Sequence, residues 1–588
     1  MEQSSSIRCE VAIVGAGPVG MVLAIELGRR GVPAVLVNDR PGTSAHPAAN
    51  ATQARTMEHF RRLGLAARIR ALGLPADYPT DITYFTRYAR HELARFSLPS
   101  SRDASSLVRT LSGSWSAAEL PHRCSQMYIE EVLLDAVRAL PSVRLLFGMR
   151  ATRLEEHADG VRAWAEPADG VAGAAAHAPP RAGQARPGAE AGSHSQAHAP
   201  HSGPVRIDAR WLVGCDGARS AVRRHLGLEY AGQTGVVRDF MGGRMHSIHV
   251  RGPALYRVID RPPAWMYWSF NPERRSFMAA IDGRGEFVYH AQLRADEDAD
   301  AWSDERACAM LYQSLGTQCP VEVLSRSSWN AGHALVAERL RAGRVFLAGD
   351  AAHLFTPTGG LGYNTGVEDA INLAWKLAMV ARGQAPETLL DSYEPERRPV
   401  ALRNTAFARA FADSIGLYAP VPGLEDDDVR GAALRAQAGE YLGRHARAEF
   451  DIPGITFGAR YDASPIVVGD GEAPPPDRAN VYEPTSVPGG RPPHLWLADG
   501  VSLFDRFGPE FTLLDTGEPD ATSAAMQAQL ARTRWPVQYL GVESGALRRL
   551  YRRRYALIRP DQVIAWRGDT PPDDFGALMR RVSGHRAA

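Results

Sequence analysis

Cysteine is scarce in this chain. The 588 residues hold five, Cys9, Cys124, Cys215, Cys308 and Cys319, an odd number with no CxxC spacing. That excludes a disulfide scaffold and a paired-cysteine metal site, and it fits reduced thiols in a cytoplasmic protein. Long apolar runs are missing too, and the N-terminal MEQSSSIRCE passes directly into a strand pattern, so neither a signal peptide nor a membrane span is expected. Net charge is almost nil, 67 basic against 66 acidic side chains, and the basic residues are scattered rather than blocked. A polyanion partner, whether nucleic acid or an anionic membrane surface, is therefore not expected. What is left is the composition of a soluble enzyme of two or three domains.

Glycine, by contrast, is placed with purpose. Val11 to Val14 read as a strand, Gly15-Ala-Gly17-Pro-Val-Gly20 as a turn, the residues through Arg30 as a helix and Val35 to Val37 as a second strand. In such a unit Gly15 makes the turn, Gly17 admits a pyrophosphate and Gly20 lets helix and strand pack closely. A carboxylate is usual at the end of the second strand for ribose recognition. Here Asn38 stands 23 positions after Gly15, with Asp39 next; either can bond a hydroxyl.

The richest segment is GRVFLAGDAAHLFTPTGGLGYNTGVED, Gly343 to Asp369. Val345 to Ala348 suit a buried strand that Gly349 stops, leaving the Asp350 carboxylate at its end, where it can accept from a sugar hydroxyl. Pro357, Gly359, Gly360 and Gly362 then strip side-chain bulk from a turn, so that main-chain N–H groups can approach a flat ligand. Tyr363 and Asn364 lead into a helix whose positive end would face that ligand.

A third strand-turn-helix, Trp211-Leu-Val-Gly214-Cys215-Asp216-Gly217-Ala218-Arg219-Ser220, lies between these two. GAGPVG, GCDGARSAVRR and GDAAHLFTPTGGLGYNTGVEDA together resemble, in order and spacing, the FAD-dependent aromatic hydroxylases of the p-hydroxybenzoate and phenol hydroxylase type, over roughly the first two thirds of the chain. The resemblance implies that Gly15, Gly17 and Gly20 bind the ADP half of FAD, that Asp350 holds the ribityl chain and that Gly362, Tyr363 and Asn364 lie beside the flavin ring. It further implies that Gln126 reaches the sugar or ribityl region, that Asp216 and Gly217 serve FAD and the nicotinamide donor, and that the Pro357 carbonyl lies near substrate. One departure stands out: relatives often carry an arginine near the pyrophosphate where this chain has Ala48, which leaves Arg55 as the candidate substitute.

The implied fold is α/β: a Rossmann-like FAD domain over residues 1–410, with a substrate-binding antiparallel sheet interleaved at about 75–122 and 239–324. A helical and linker region would occupy 411–490. Residues 491–588 resemble a thioredoxin-like domain, which without cysteine can serve only packing or subunit contact, a homodimer among the options. The Ala-, Gly-, Pro- and His-rich tract 167–204 should be a disordered insert in a hairpin, and its His194, His198 and His201 are expected to hold no metal. Ala254 to Ile259, Ala264 to Phe270 and Ser276 to Ile281 read as strands of the sheet. Trp265, Tyr267, Trp268 and Phe277 are candidate lining residues of an apolar pocket, of which alternation lets about half face one cavity.

The resemblance implies NADH- or NADPH-dependent hydroxylation of a phenolic mono- or bicyclic aromatic compound by O2 through a flavin hydroperoxide, the pocket excluding water and orienting the ring. His246, His249, Tyr256 and Tyr267 are the open candidates for assisting phenol ionisation. An FAD oxidase or dehydrogenase, and a non-catalytic flavin- or product-binding protein of the same fold, are the alternatives that aromatic-dependent NAD(P)H consumption would separate.

Overall fold

The structure is a computed structural model and describes residues 5–168, 203–233 and 240–585. Strand Ser5–Val14, helix Pro18–Arg29 and the parallel strand Ala34–Asn38 form the expected first unit. The sheet runs in the order Arg341–Ala342, Val345–Leu347, Val205–Gly214, Ser5–Val14, Ala34–Asn38, Val143–Phe147. Val11 to Val14 and Ala34 to Val37 are buried along their whole length, as strands covered on both faces must be. The arrangement sets the ends of three distant strands side by side: Cys215 N–H donates to Val14 C=O at 2.7 Å and Ala348 N–H to Gly214 C=O at 3.0 Å. The three glycine motifs thus share one edge, the carboxyl side where open α/β sheets bind ligands.

Strand Gly160–Pro167 pairs antiparallel with Val205–Gly214, Ala165 opposite Val205, which is the hairpin expected around the low-complexity tract. Of that tract, 169–202 lie outside the described residues, as do His194, His198 and His201.

The second sheet has seven strands, ordered Glu322–Asn330, Arg244–Arg251, Glu286–Gln292, Arg275–Ala280, Met266–Phe270, Ile82–Phe85, Glu92–Phe96, and is antiparallel except where Met266–Phe270 meets Ile82–Phe85. Its strands come from both interleaved segments. Ala254–Ile259, expected as a strand, is instead a short helix closed by Asp260 at φ +49. Leu255 and Ile259, four apart, are its buried residues, so ALYRVI packs with helical rather than two-residue spacing.

The region 411–490, expected as helical and linker, is helical in its first half. Helix Tyr393–Leu417 runs across the expected boundary at 410, and helix Val429–Phe450 follows, capped by Asp428 accepting from Gly431 N–H at 2.7 Å. The second helix lies close on the second sheet: a Cβ at Gly439 would fall 2.2 Å from Leu93 O. Beyond it, the C-terminal sheet is ordered Val537–Gly541, Phe511–Asp515, Tyr555–Ile558, Ile564–Gly568, with the first two strands parallel and the rest antiparallel. With helices Ala521–Arg532 and Phe575–Val582 this is thioredoxin-like topology. It is docked through buried ions: Arg559 on Glu396 at 2.6 Å and Arg491 on Glu58 at 2.5 Å, with Lys376 joining Glu396 from the first domain's side at 2.6 Å. Among the described residues, no helix is long and apolar enough to cross a membrane.

Candidate active site

At the nucleotide end the three glycines do different things. Gly15 has φ +103, and a Cβ there would lie 2.3 Å from Cys215 O; one at Gly20 would lie 2.0 Å from Gly15 O. Both are locked by backbone crowding. Gly17 differs: a Cβ built on it meets no protein atom within 4 Å, so it borders open space at the start of helix Pro18–Arg29, which no side chain caps. Free N–H groups, a positive helix end and room for close approach are what an anionic ligand needs. Asn38 ends its strand as expected, but its Oδ1 accepts from Ala16 N–H at 3.2 Å and its Nδ2 donates to Arg40 C=O at 3.2 Å, so it first braces the glycine turn. Asp39 is exposed beyond it.

Asp350 lies at the end of strand Val345–Leu347 in a single 3-10 turn. The residue is exposed, yet burial of its carboxyl among surrounding protein atoms raises its pKa, with His353 opposing. No side chain of the described residues bonds that carboxylate. Its backbone is fixed from below: Asp369 accepts from Gly349 N–H at 3.1 Å and from His353 Nε2 at 2.6 Å, and Arg397 Nε donates to its other oxygen at 2.7 Å.

The loop from Pro357 is pinned at both sides. Gly359 N–H donates to Glu449 Oε1 at 2.8 Å and Gly359 C=O accepts from Gln53 Nε2 at 2.8 Å, leaving Pro357 exposed. Helix Leu361–Ala381 then starts from Gly360 at φ +62 with no side-chain cap. Asn364, expected beside the ring, has its amide fully committed within the chain: Oδ1 accepts from Gln53 N–H at 2.8 Å and Nδ2 donates to Ala51 C=O at 2.9 Å and to Gly360 C=O at 2.6 Å. Polar contact with a ligand from Gly362, Tyr363 and Asn364 is left to main-chain atoms, because the Tyr363 hydroxyl is buried and the Asn364 amide is engaged.

One further expectation needs correction and two need refinement. Arg55 is no substitute for the missing arginine: its guanidinium donates to Glu58 and to the carbonyls of Asp561 and Gln562 at 3.0 to 3.1 Å, buried against the C-terminal domain. The Asp216 carboxylate is first a turn-former: it accepts from Ser220 Oγ, Ala221 N–H and Val222 N–H and so shapes the turn that Gly217 completes at φ +78. Gln126 stands at the start of helix Gln126–Arg138 with its Nε2 on Glu130 Oε1 at 2.8 Å, which leaves its Oε1 as the group with capacity to spare.

The sheet face opposite these loops is set by strand parity. Tyr84, Trp268, Phe277, His290 and Ser247 are successive cross-strand partners, so they share one face. That face looks at the FAD-type domain, because His46, in the loop after Asn38, bonds Ser247 Oγ at 2.9 Å and Ser325 Oγ at 2.8 Å. Trp268 and Phe277 share this face, Trp268 packed within the aromatic cluster and Phe277 slightly more exposed. Tyr267, His246 and Tyr256 do not: Tyr267 accepts from Ala264 N–H at 2.8 Å and packs on Phe85, Tyr88 and Phe287, His246 lies edge-on to Trp302 at 5.6 Å, and Tyr256 bonds Tyr78 at 2.9 Å. All three belong to the opposite side, where the helices lie. Trp265 stacks under Arg123 at 4.4 Å and against Phe450. His249 bonds Glu286 at 3.2 Å. Sequence reasoning missed His46, His290, Gln53 and Glu449; the first two belong to no motif, and the last acts from a helix 90 residues downstream of Gly359. Among the described residues no cluster of His, Cys, Asp and Glu could hold a metal.

Comparison with known proteins agrees with this geometry. The FAD binding domain family matches residues 8–175 and 187–408, and the family of aromatic-ring hydroxylase C-terminal domains matches 485–585. The chain is 31% identical to a putative polyketide hydroxylase of Streptomyces halstedii, over 96% of this chain and 94% of that one. It is 28% identical to 2,4-dichlorophenol 6-monooxygenase of Cupriavidus pinatubonensis, over 99% and 97%. The structure of the rebeccamycin biosynthetic enzyme RebC with reduced flavin is similar with a TM-score of 0.82 and 33% identity, covering 99% of this chain and 100% of RebC. With a nucleotide cradle, a pinned glycine loop and an aromatic sheet in the first matched domain and the second match over the C-terminal domain, the chain belongs to the FAD-dependent aromatic-ring monooxygenases.

Proposed function

We propose that the enzyme hydroxylates a phenolic aromatic compound at the expense of NADH or NADPH and O2. The observation that carries this is the pairing of an uncapped helix end at Leu361 with an aromatic sheet face, bearing Phe277 and His290, that is turned toward the same domain through the His46–Ser247 contact. FAD, when bound, supplies two-electron reduction by the nicotinamide and activation of dioxygen for transfer of one atom.

The chain's own residues would bind and orient. Gly15, Gly17 and Gly20 fit the pyrophosphate, Asn38 and Asp39 the ribose, and Gln126 and Asp350 the ribityl region. The positive end of helix Leu361–Ala381 favours an anionic ring edge, as a helix N-terminus favours any negative charge within its first turn. Glu449 and Gln53 hold the Pro357 loop so that its carbonyl stays fixed toward substrate. Phe277 supplies apolar surface and excludes water, which strengthens every polar contact in the cleft. A phenolic substrate fits because its electron-rich ring accepts oxygen without a protein nucleophile.

The test is aromatic-dependent NAD(P)H oxidation by the FAD-loaded enzyme, with product mass. Stimulation by phenols and a product heavier by one oxygen atom is expected; oxidation that no aromatic stimulates would overturn the reading.

A further inference from the structure

Most polar groups on the cleft-facing side of the sheet are already engaged. Both ring nitrogens of His46 are bonded to serines, Ser247 and Ser325 are engaged by His46, and His249 Nε2 is on Glu286. Tyr84 Oη, Trp268 Nε1 and His249 Nδ1 lack partners but are sealed inside the protein. His290 differs. Its residue is 8% exposed, and its Nε2 has neither a partner among the described residues nor that closure.

The rest of the imidazole is fixed. Its ring stacks on Phe277 with centroids 4.5 Å apart and planes at 18°. Trp329 Nε1 lies 3.4 Å from its Nδ1. An indole N–H can only donate, so Nδ1 is the acceptor, and the neutral ring must carry its proton on Nε2, at the end away from the sheet. Burial, with His46 and His246 adding to it, pushes the imidazole pKa down to about 3, so the ring stays neutral at physiological pH. An N–H donor at the open tip of a ring that is otherwise buried and held by Phe277 and Trp329 has a defined complement: an acceptor oxygen on a flat ligand that takes the place of water there.

We propose that His290 Nε2–H receives the hydroxyl or phenolate oxygen of the aromatic substrate and thereby selects hydroxylated rings over unsubstituted ones. This rests on the function proposed above and specifies how its substrate is recognised. His290 acts as a donor and removes no proton. Phe277 provides the ring beside which the substrate ring lies, and Trp329 is a positioning residue that fixes the tautomer.

The experiment measures binding of phenol, catechol and naphthol to the FAD-loaded protein, each beside benzene or naphthalene, through perturbation of the flavin absorbance. The wild type is expected to prefer the hydroxylated member of each pair. His290→Phe keeps a ring on Phe277 but has no N–H, and should lower that preference by about tenfold, the worth of one buried hydrogen bond. His290→Gln should restore part of it, and Trp329→Phe, which frees the tautomer, should lose part of it, all with FAD affinity unchanged. Equal preference in wild type, His290→Phe and Trp329→Phe would overturn the role of His290 while leaving a phenol pocket in place. A wild type that prefers no hydroxylated probe would overturn the phenolic reading itself.

Discussion

Replacing Gly17 and Gly20 by alanine separates folding from cofactor binding within one six-residue turn. At Gly17 the added Cβ meets no protein atom within 4 Å and the backbone, at φ −73, suits any residue. The apoprotein should lose no more than about 1 kcal/mol, the difference between glycine and alanine at a helix N-cap. The same Cβ enters the space in which the pyrophosphate must lie. Overpacking of that kind costs about 1–3 kcal/mol, or about five- to 150-fold in FAD affinity. At Gly20 the Cβ would fall 2.0 Å from Gly15 O, a main-chain atom that cannot rotate away, so the turn or helix Pro18–Arg29 must shift and the apoprotein itself should melt earlier. Thermal melting of FAD-stripped protein by circular dichroism, followed by FAD titration through flavin fluorescence, reads both quantities. Gly17→Ala with unchanged FAD affinity would show that the open side of the turn is not where the cofactor lies. Gly20→Ala with an unchanged melting temperature would show that the crowding argument fails.

Asp350→Asn removes a charged acceptor at the cleft floor, worth about 1.5–3 kcal/mol, and should weaken FAD binding by about one to two powers of ten; unchanged affinity in the folded variant would remove Asp350 from the site. Burial alone would raise the pKa of Glu58, but Arg491 and Arg55 overcome it and hold it at about 2 against an ordinary 4.5. The stability this gives the docking of the C-terminal domain is therefore complete above pH 4.5 and lost as pH falls toward 2. Glu58→Gln should abolish that acid dependence and destabilise docking by about 3–5 kcal/mol, read as an earlier C-terminal transition in calorimetry. Replacing the tract 167–204 by a short Gly-containing turn between the paired strands should leave FAD content and turnover nearly intact, since a surface loop's length costs little; loss of a metal-dependent activity would contradict this.

What the sequence disclosed was local. Gly15 and Gly349 stand in turns at φ +103 and +62, a demand each residue's own backbone makes, and the Val345 strand ends where its glycine says it must. What it concealed depends on pairing. Whether Tyr267 or Trp268 faces the cleft is a matter of parity, and parity is fixed only once Trp268 is set opposite Phe277 and Phe277 opposite His290. ALYRVI satisfies a two-residue and a four-residue period alike over six residues, and its helix is chosen by packing. Arg55 looked free for the cofactor because its partners, Asp561 and Gln562, lie some 500 residues away. Glu449 carries no motif, because its task is to hold one N–H of a loop that arrives from another part of the chain.

The central claim is that the cleft transfers oxygen to an aromatic ring, and mass analysis under isotopically labelled dioxygen tests it most directly. A phenol that accelerates NAD(P)H oxidation by the FAD-loaded enzyme is expected to emerge with one labelled atom. A bound aromatic that cannot be hydroxylated should accelerate oxidation and send the label to hydrogen peroxide. Label found only in peroxide with every stimulating phenol would contradict the account.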